Sequence, residues 1–394
     1  MSPNPYRTSG HKPGVDLAIL AAYTGEGGVE KMLNHLMRGF LSAGLRVDLV
    51  LLKSKGRHLQ GIPPGIRIIP LNVSTSLFAL PAIGRYFRTE RPRAVLAAKD
   101  RAGRVALLAR RFWGADTRVV LRMGMHLSAS LAARNWFART ARFVPVRWLY
   151  HWADAIVTVA EPVALDLAEI GNLPLELFRV IPNPTITAEI DVQAQESPNH
   201  PWFDQSDHVP VIVAAGRLHK QKDFPTLIRA FARLREQRPA RLIILGDGPE
   251  RTRIETLLDT LDLRDEVDLP GFRSNPYPFM KRAALFVLSS RYEGAPNVLV
   301  EALALGTPVV ATDCPSGPND MLQRGKVGRL VPVGDVEALS TAMTAALNDP
   351  ADPAALRKAV SAYTVETSTQ QYLEVLGLNP DSASPPPHAT SAAT

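Results

Sequence analysis

Short apolar runs alternate with longer amphipathic stretches along almost the whole chain, and the alternation breaks off once and then starts again. The first series has strand-like runs near 15–20, 46–52, 66–71, 94–98, 117–122 and 155–160, with helical stretches at 28–43, 102–112, 128–150 and 162–170. The second has runs near 210–215, 241–245, 267–269, 284–289, 308–312 and 329–333, with helical stretches at 224–237, 250–262, 297–305 and 335–348. A strand covered by helices on both faces has no polar side, so it reads as a near-continuous Val/Ile/Leu run, as in PVIVAA and RLIIL. The pattern predicts an α/β chain of two doubly wound parallel-sheet domains. The boundary falls at 178–184 (FRVIPNP), where two prolines flank an asparagine; proline removes a backbone donor and fixes φ, so this segment reads as a hinge. Residues 185–208 lack periodic apolar positions and read as linker. The expected organisation is a flexible N-terminus (1–13), a first domain (14–183), a linker (184–208), a second domain (209–362), a C-terminal helix (363–378) with a break near Thr364, and a tail (379–394) too poor in apolar residues to order itself.

At roughly 100–200 residues per domain, 394 residues accommodate this layout. The single Cys314 excludes a disulfide framework and a cysteine-based metal site, and fits a reducing compartment. No uncharged apolar run approaches the roughly 18 residues of a membrane span, and the polar N-terminus gives no reason to expect a secretory leader. An intracellular, cytoplasmic location is the expectation. Charge is divided unevenly: residues 1–183 carry 25 Lys and Arg against 12 Asp and Glu, a net +13, while the remainder is −6. The first half therefore calls for an anionic partner.

Several strand-to-helix turns carry residues suited to anion binding. Gly27 and Gly28 open the first helix after a strand; glycine there serves either a tight turn or a close backbone approach to a phosphate, and G-x-G-x-x-G is absent from this turn. In AAGRLHKQKDF, Arg217 and Lys222 share one loop at the carboxyl end of a strand, where open α/β sheets bind ligands, although most such side chains are solvated loop charges. LGDGPE, with Gly246 and Gly248, reads as a plain turn before a helix. The most specific string is RYEGAPNVLVEALALGTPVVATD. Glu293 precedes a helix and Glu301, after seven intervening residues, lies inside it, while Asn297 and Val298 occupy the first turn with amides free to meet an anion. Each carboxylate can accept two hydroxyl hydrogen bonds, which suits a sugar or a ribose.

With these motifs in order, the chain resembles the family-4 retaining glycosyltransferases of the GT-B fold, in which two Rossmann-like parallel-sheet domains face each other across a cleft. The resemblance covers about 15–376 and is strongest over 211–313, through GRLHKQKDF, LGDGPE, PGF, the glutamate string and CPSGP. It implies an acceptor-side first domain and a nucleotide-sugar-binding second domain. Arg217 and Lys222 match the family's diphosphate-binding cations, and the Gly27-Gly28 turn faces the same phosphates. Glu301 matches the second Glu of the family's motif, on the ribose hydroxyls, and Glu293 the first, near the reacting carbon. Phe272 and Arg273 fall where the base is held, and His126, after the run at 117–122, matches a cleft histidine hydrogen-bonded to the donor sugar. No cofactor is expected beyond the nucleotide-sugar co-substrate.

Breaking a sugar–phosphate bond places negative charge on the leaving diphosphate, which fixed cations and helix amides stabilise. The chain contains no D-x-D, so the carboxylates that usually hold Mg²⁺ are missing and a metal-independent transfer is expected. The segment 131–152 interleaves Arg134, Arg139, Arg142 and Arg147 with Trp136, Phe137, Phe143, Trp148 and Trp152, with further charge in 85–93 and 53–57. That composition suits an anionic membrane surface and a glycan or lipid-linked acceptor; it equally describes a helix with buried aromatics, and Pro145 is expected to interrupt it. No motif for nucleic acid accompanies the charge. A nucleotide-sugar epimerase on the same fold and a non-catalytic nucleotide-sugar-binding protein are the competing readings.

Overall fold

A computed structural model of the chain describes residues 14–23, 28–54, 59, 61–71, 76–132, 134–204 and 208–379. Gly27, most of the basic run at 53–57, the N-terminal 1–13 and the tail from 380 lie outside the described residues. The apolar runs form two all-parallel sheets. The first has seven strands: β1 (Leu17–Tyr23), β2 (Val47–Ser54), β3 (Arg67–Pro70), β4 (Ala94–Ala98), β5 (Arg118–Met123), β6 (Ala155–Thr158) and β7 (Phe178–Val180), in the order β3-β2-β1-β4-β5-β6-β7. The second has six: β8 (Val211–Ala215), β9 (Arg241–Leu245), β10 (Val267–Gly271), β11 (Leu285–Leu288), β12 (Val309–Thr312) and β13 (Arg329–Val331), in the order β10-β9-β8-β11-β12-β13.

The absence of a polar strand face has a direct structural cause. Successive side chains of a strand point to opposite faces, and here both faces are covered. In β1, Leu17 and Ile19 enter one core layer while Ala18 and Leu20 enter the other. In β8, Val211, Val213 and Ala215 face one layer and Ile212 and Ala214 the opposite one.

Several elements differ from the sequence expectation. Phe178–Val180, read as hinge, is the edge strand β7, with Phe178 buried in the first domain's core. The crossing begins only after it. Of the segment read as linker, residues 185–204 are packed, not loose: Ile190 and Ala194 sit in the second domain's core, and the rings of His200, Phe203 and Phe279 meet edge-on. The helix Ser76–Glu90 was not anticipated, because Pro81 and Gly84 interrupt its composition; its Ala79, Ile83, Tyr86 and Phe87 are buried nonetheless. The long helix expected over 128–150 is two, Leu127–Ser130 and Trp136–Leu149. The break falls at Asn135, whose Oδ1 caps the second helix by accepting from Ala138 N at 2.9 Å, and the helix runs on through Pro145.

The chain crosses between the sheets twice, side by side. Thr185 N and Ile186 N donate to Tyr363 O at 3.0 and 2.9 Å, and Val365 N returns a bond to Ile186 O at 3.2 Å. Thr364 caps the helix Val365–Leu376, which folds back on the first domain: Tyr372, Leu373 and Leu376 join Leu33, Met37 and Phe40 in one core layer. The crossing is anchored by His35, whose Nδ1 donates to Pro184 O at 2.8 Å, and by Ser368, whose hydroxyl donates to Pro182 O at 2.8 Å.

Burial holds the pKa of His35 below the ordinary histidine value, with Lys31 and Arg38 adding to the shift and the Pro184 carbonyl and Glu301 opposing it. The unfolded chain, with its histidine near 6.5, therefore takes up the proton first. The stability this gives is present above about pH 6.5 and lost as pH falls toward the folded-state value. The melting temperature should drop between about pH 7 and 5, and His35→Gln should flatten part of that slope. Identical slopes in the two proteins would rule out this titration as a contributor.

Candidate functional site

The two sheets present their carboxyl ends to a shared cleft. In each sheet the chain reverses its direction of winding at one place, between β1 and β4 in the first and between β8 and β11 in the second. Ligands of open α/β sheets bind at such points, beyond the strand ends. The loops after β8 and β11 carry Arg217, Lys222 and Glu293, and the helix after the second loop carries Glu301.

Glu293 is buried at the centre of a small polar cluster. Its Oε1 accepts from Lys222 Nζ at 2.6 Å and from the Ser290 hydroxyl at 2.6 Å, and its Oε2 from Gln221 Nε2 at 3.3 Å. A carboxylate with donors on both oxygens is fixed in direction. Behind it, the Ser316 hydroxyl donates to Glu293 O at 2.7 Å, so the CPSGP string serves as the support of this loop. The buried Cys314 thiol is pushed up to about 12 by burial, with the charge of Glu293 adding to it; it stays protonated and unreactive.

Glu301 is also buried, and its Oε1 receives two donors: Lys31 Nζ at 2.7 Å and the Tyr277 hydroxyl at 3.3 Å. Lys31 also donates to the Tyr277 oxygen at 2.9 Å. This lysine belongs to the helix Gly28–Ser42 of the first domain, so the ion pair spans the cleft. Burial alone would disfavour its ammonium, but Glu301 and Tyr277 outweigh that and raise its pKa. Tyr277, buried beside the Glu301 charge, is pushed up to about 12 and remains a phenol able to donate.

Two helix N-termini face each other here. A Cβ on Gly28 would lie 3.3 Å from Asn297 Nδ2. Pro296 supplies no capping side chain to the helix Asn297–Ala304, which leaves its first amides, at Asn297 and Val298, for a ligand. Nearby the domains touch through backbone: a Cβ on Gly294 would come within 2.0 Å of Gly124 O.

Of the remaining sequence candidates, Arg217 is exposed and makes no ion pair among the described residues. Phe272 and Arg273 are exposed at the end of β10, beside the 245–251 turn through Gly246 N donating to Gly271 O at 3.0 Å. His126 is occupied: its Nδ1 accepts from Ala129 N at 3.5 Å as a helix cap and lies 3.3 Å from Asp166 Oδ2, so only Nε2 can meet a ligand. Among the described residues no three His, Cys, Asp or Glu side chains converge as a metal site would require.

Sequence reasoning missed Lys31, Tyr277, Gln221 and Ser290. Lys31 follows the glycine turn by one helical turn, and that spacing, beside a candidate anion site, was the available signal. The 245–251 turn also gains a role. Gly246, at φ 136°, would place a Cβ 2.0 Å from Gly216 O, and Gly248 one 2.4 Å from Leu218 O. These glycines let the turn press against the loop of Arg217 and Lys222.

Two parallel-sheet domains thus bring paired lysines and glutamates together where they meet. A family model described as "Glycosyl transferase 4-like domain" matches residues 27–184, and one described as "Glycosyl transferases group 1" matches 199–363. The chain belongs to the group 1, family-4 glycosyltransferases of the GT-B fold. It is 31% identical over 250 residues to N-acetylgalactosamine-N,N'-diacetylbacillosaminyl-diphospho-undecaprenol 4-alpha-N-acetylgalactosaminyltransferase of Campylobacter jejuni, covering 64% of this chain and 66% of that one. It is 27% identical to the lipopolysaccharide core biosynthesis glycosyltransferase LpsE of Rhizobium meliloti, covering 90% of this chain and 97% of that protein. Against two other curated relatives it spans less than half, 44% and 46%, of their length. Among solved structures, HepE of Anabaena in complex with UDP and glucose superposes with a TM-score of 0.75 at 20% identity, over 92% of this chain and 99% of that one, which establishes the shared fold.

The stacked loops generate a stability prediction. Gly246→Ala combines positive φ with a collision against backbone, and should cost about 2–5 kcal/mol in urea unfolding. A loss under about 0.5 kcal/mol, the range of an uneventful surface change, would mean the loops are not pressed together.

Proposed function

We propose that the protein is a retaining, metal-independent glycosyltransferase that moves a hexose from a nucleotide diphosphate sugar, a UDP-sugar, to a glycan or lipid-linked acceptor in cell-surface polysaccharide or glycolipid assembly. The observation that carries this reading is the pair of buried glutamates, each held by a lysine, on either side of the N-terminus of the helix Asn297–Ala304. Lys222, Arg217, the amides at Asn297 and Val298 and the facing helix at Gly28 form a cationic and dipolar cradle for a diphosphate. When the sugar C1–O bond breaks, its electron pair stays on the diphosphate, and these groups stabilise the charge that develops. The acceptor hydroxyl oxygen then bonds to C1 and passes its proton to an oxygen of the leaving diphosphate. Glu293, fixed by three donors, is suited to orient the sugar, and Glu301, with Oε1 occupied, offers Oε2 to a ribose hydroxyl. His126 Nε2 is the group through which the first domain would reach the sugar. Phe272 and Arg273 would flank the base.

The names of two relatives support the acceptor class: one acts on a diphospho-undecaprenol-linked sugar and the other belongs to lipopolysaccharide core biosynthesis. The helix Trp136–Leu149 supports it from this chain, since Trp136, Phe137, Val144 and Trp148 are exposed beside Arg139 and Arg142. No helix among the described residues is long and apolar enough to cross a membrane, so contact would be peripheral, at the cytoplasmic face.

Calorimetric titration with UDP and GDP in EDTA tests the donor site. One nucleotide should bind without metal, and Arg217→Ala/Lys222→Ala should weaken it at least about tenfold, one cation contact being worth about 1.4 kcal/mol or more. Binding of neither nucleotide, or binding indifferent to the double variant, would defeat the reading. Glu293→Ala should abolish turnover with modest loss of donor affinity, whereas Glu301→Ala should mainly weaken the nucleotide; equal effects on both parameters would contradict the division. Vesicles of phosphatidylglycerol, but not phosphatidylcholine, should sediment the protein, and Trp136→Ser/Trp148→Ser should release it. Unaltered sedimentation of that variant would remove the membrane assignment.

A further inference from the structure

Arg122, the penultimate residue of β5, is 2% exposed, and among the described residues no carboxylate pairs with it. Its Nη2 donates to Asn183 Oδ1 at 2.7 Å, its guanidinium lies near the Tyr372 hydroxyl, and its buried Nε has no partner. A buried guanidinium without an ion-pair partner is costly, because one hydrogen bond does not replace its lost hydration. Its position shows what it does. Asn183 lies in the crossing between the sheets, and Asn183 Nδ2 in turn donates to Asn297 Oδ1 at 2.8 Å, on the first turn of the helix that opens into the cleft.

The polarity of this chain of groups follows from one fact. A carboxamide is nearly symmetric in shape, so packing alone does not decide which end faces which neighbour. A guanidinium has donors only. Arg122 therefore compels Asn183 to turn its oxygen inward and its N–H₂ outward. That N–H₂ compels Asn297 to turn its own oxygen toward Asn183, which leaves Asn297 Nδ2 on the cleft side, against Gly28. A flip of either amide would set two donors or two acceptors face to face.

We propose that Arg122 and Asn183 are positioning residues: through two amides, the buried cation holds Asn297 Nδ2 as a hydrogen-bond donor to the diphosphate of the nucleotide sugar. This rests on the reading that the diphosphate sits at the Asn297 helix. It gives the unpaired charge a function, since an anion at Asn297 is the counter-charge that the relay otherwise lacks. It also draws the donor contact from three places at once: the first sheet, the crossing and the second domain.

Asn183→Asp is the discriminating variant. The aspartate is nearly isosteric and forms an ion pair with Arg122, so the melting temperature should hold or rise. It cannot donate to Asn297, which must reverse and turn its oxygen toward the diphosphate. UDP affinity should then fall at least about tenfold while uridine, measured by competition, competes as well as against wild type. Arg122→Lys, also a pure donor, should keep most of the UDP affinity, and Arg122→Gln should lose it. UDP affinity and KM unchanged in Asn183→Asp would overturn the relay. Equal loss of uridine and UDP would also overturn it, because that outcome marks a general collapse of the site. Lys222→Ala, run alongside, separates the two readings. If Lys222→Ala weakens UDP and Asn183→Asp does not, the relay alone fails; if Lys222→Ala leaves UDP binding unchanged, the diphosphate reading fails and takes the relay with it.

Discussion

The ion pair between Lys31 and Glu301 is the contact on which the cleft depends. It joins a helix of the first domain to a helix of the second, close to the N-terminal end of each. Bringing two helix N-termini together concentrates partial positive charge, and adding a lysine increases it. Glu301 supplies the opposite charge from inside the second domain, and the Tyr277 hydroxyl shares the load. A buried pair of this kind contributes little to overall stability, since its attraction is largely spent on desolvation. What it supplies is geometry: Lys31 reaches Glu301 only when the domains stand as they do here. The approach of Gly294 to Gly124 beside it tolerates no side chain, so the same closure is enforced by shape and by charge.

Closure of this kind requires a connection that is narrow but not slack. The double crossing meets both needs. Its two strands hydrogen-bond to each other, and His35 and Ser368 pin the carbonyls of Pro184 and Pro182, whose ring nitrogens can donate nothing. The two prolines keep φ fixed on either side of Asn183, and its side chain is held between Arg122 and Asn297 by a hydrogen bond to each. The crossing is thus a part of the cleft as well as a connector.

What could be read from the chain beforehand divides along a physical line. The strands were legible because burial on both faces leaves a continuous apolar signature within five or six residues, as in 211–215 and 241–245. The Glu293–Glu301 string was legible because loop, helix start and both carboxylates are contiguous in sequence. Lys31, Tyr277 and Arg122 were not, since each acquires its meaning from a partner far along the chain or in the other domain; taken locally, Lys31 is one more helix cation. The helix Ser76–Glu90 and strand β7 were hidden for a different reason. Their local composition argues against them, and tertiary burial of Ile83, Phe87 and Phe178 overrides it.

The charge asymmetry shows how net charge misleads until the pairs are known. Of the basic side chains in the first half, Arg46 and Arg93 meet Asp16, Arg67 meets Asp48 and Glu90, Lys99 meets Glu30, Arg104 and Arg142 share Asp100, and Arg110 meets Asp154. Six of the twelve acids of this half are thus engaged in holding its own fold. The excess therefore sits on the cations left over, and several of these lie on or beside the helix Trp136–Leu149. There Arg139 stands over the ring of Phe143, Arg147 caps a carbonyl at Ile170, and Trp136 and Phe137 pack edge-on against each other while facing solvent, 68% and 75% exposed. Exposed tryptophans cost little at a lipid–water boundary and more in water, and arginine without an acid is satisfied by lipid phosphate. Part of the surplus accordingly lies on one helix face, opposite in character to the paired charges of the cleft, and that face is the one on which the proposed membrane contact rests.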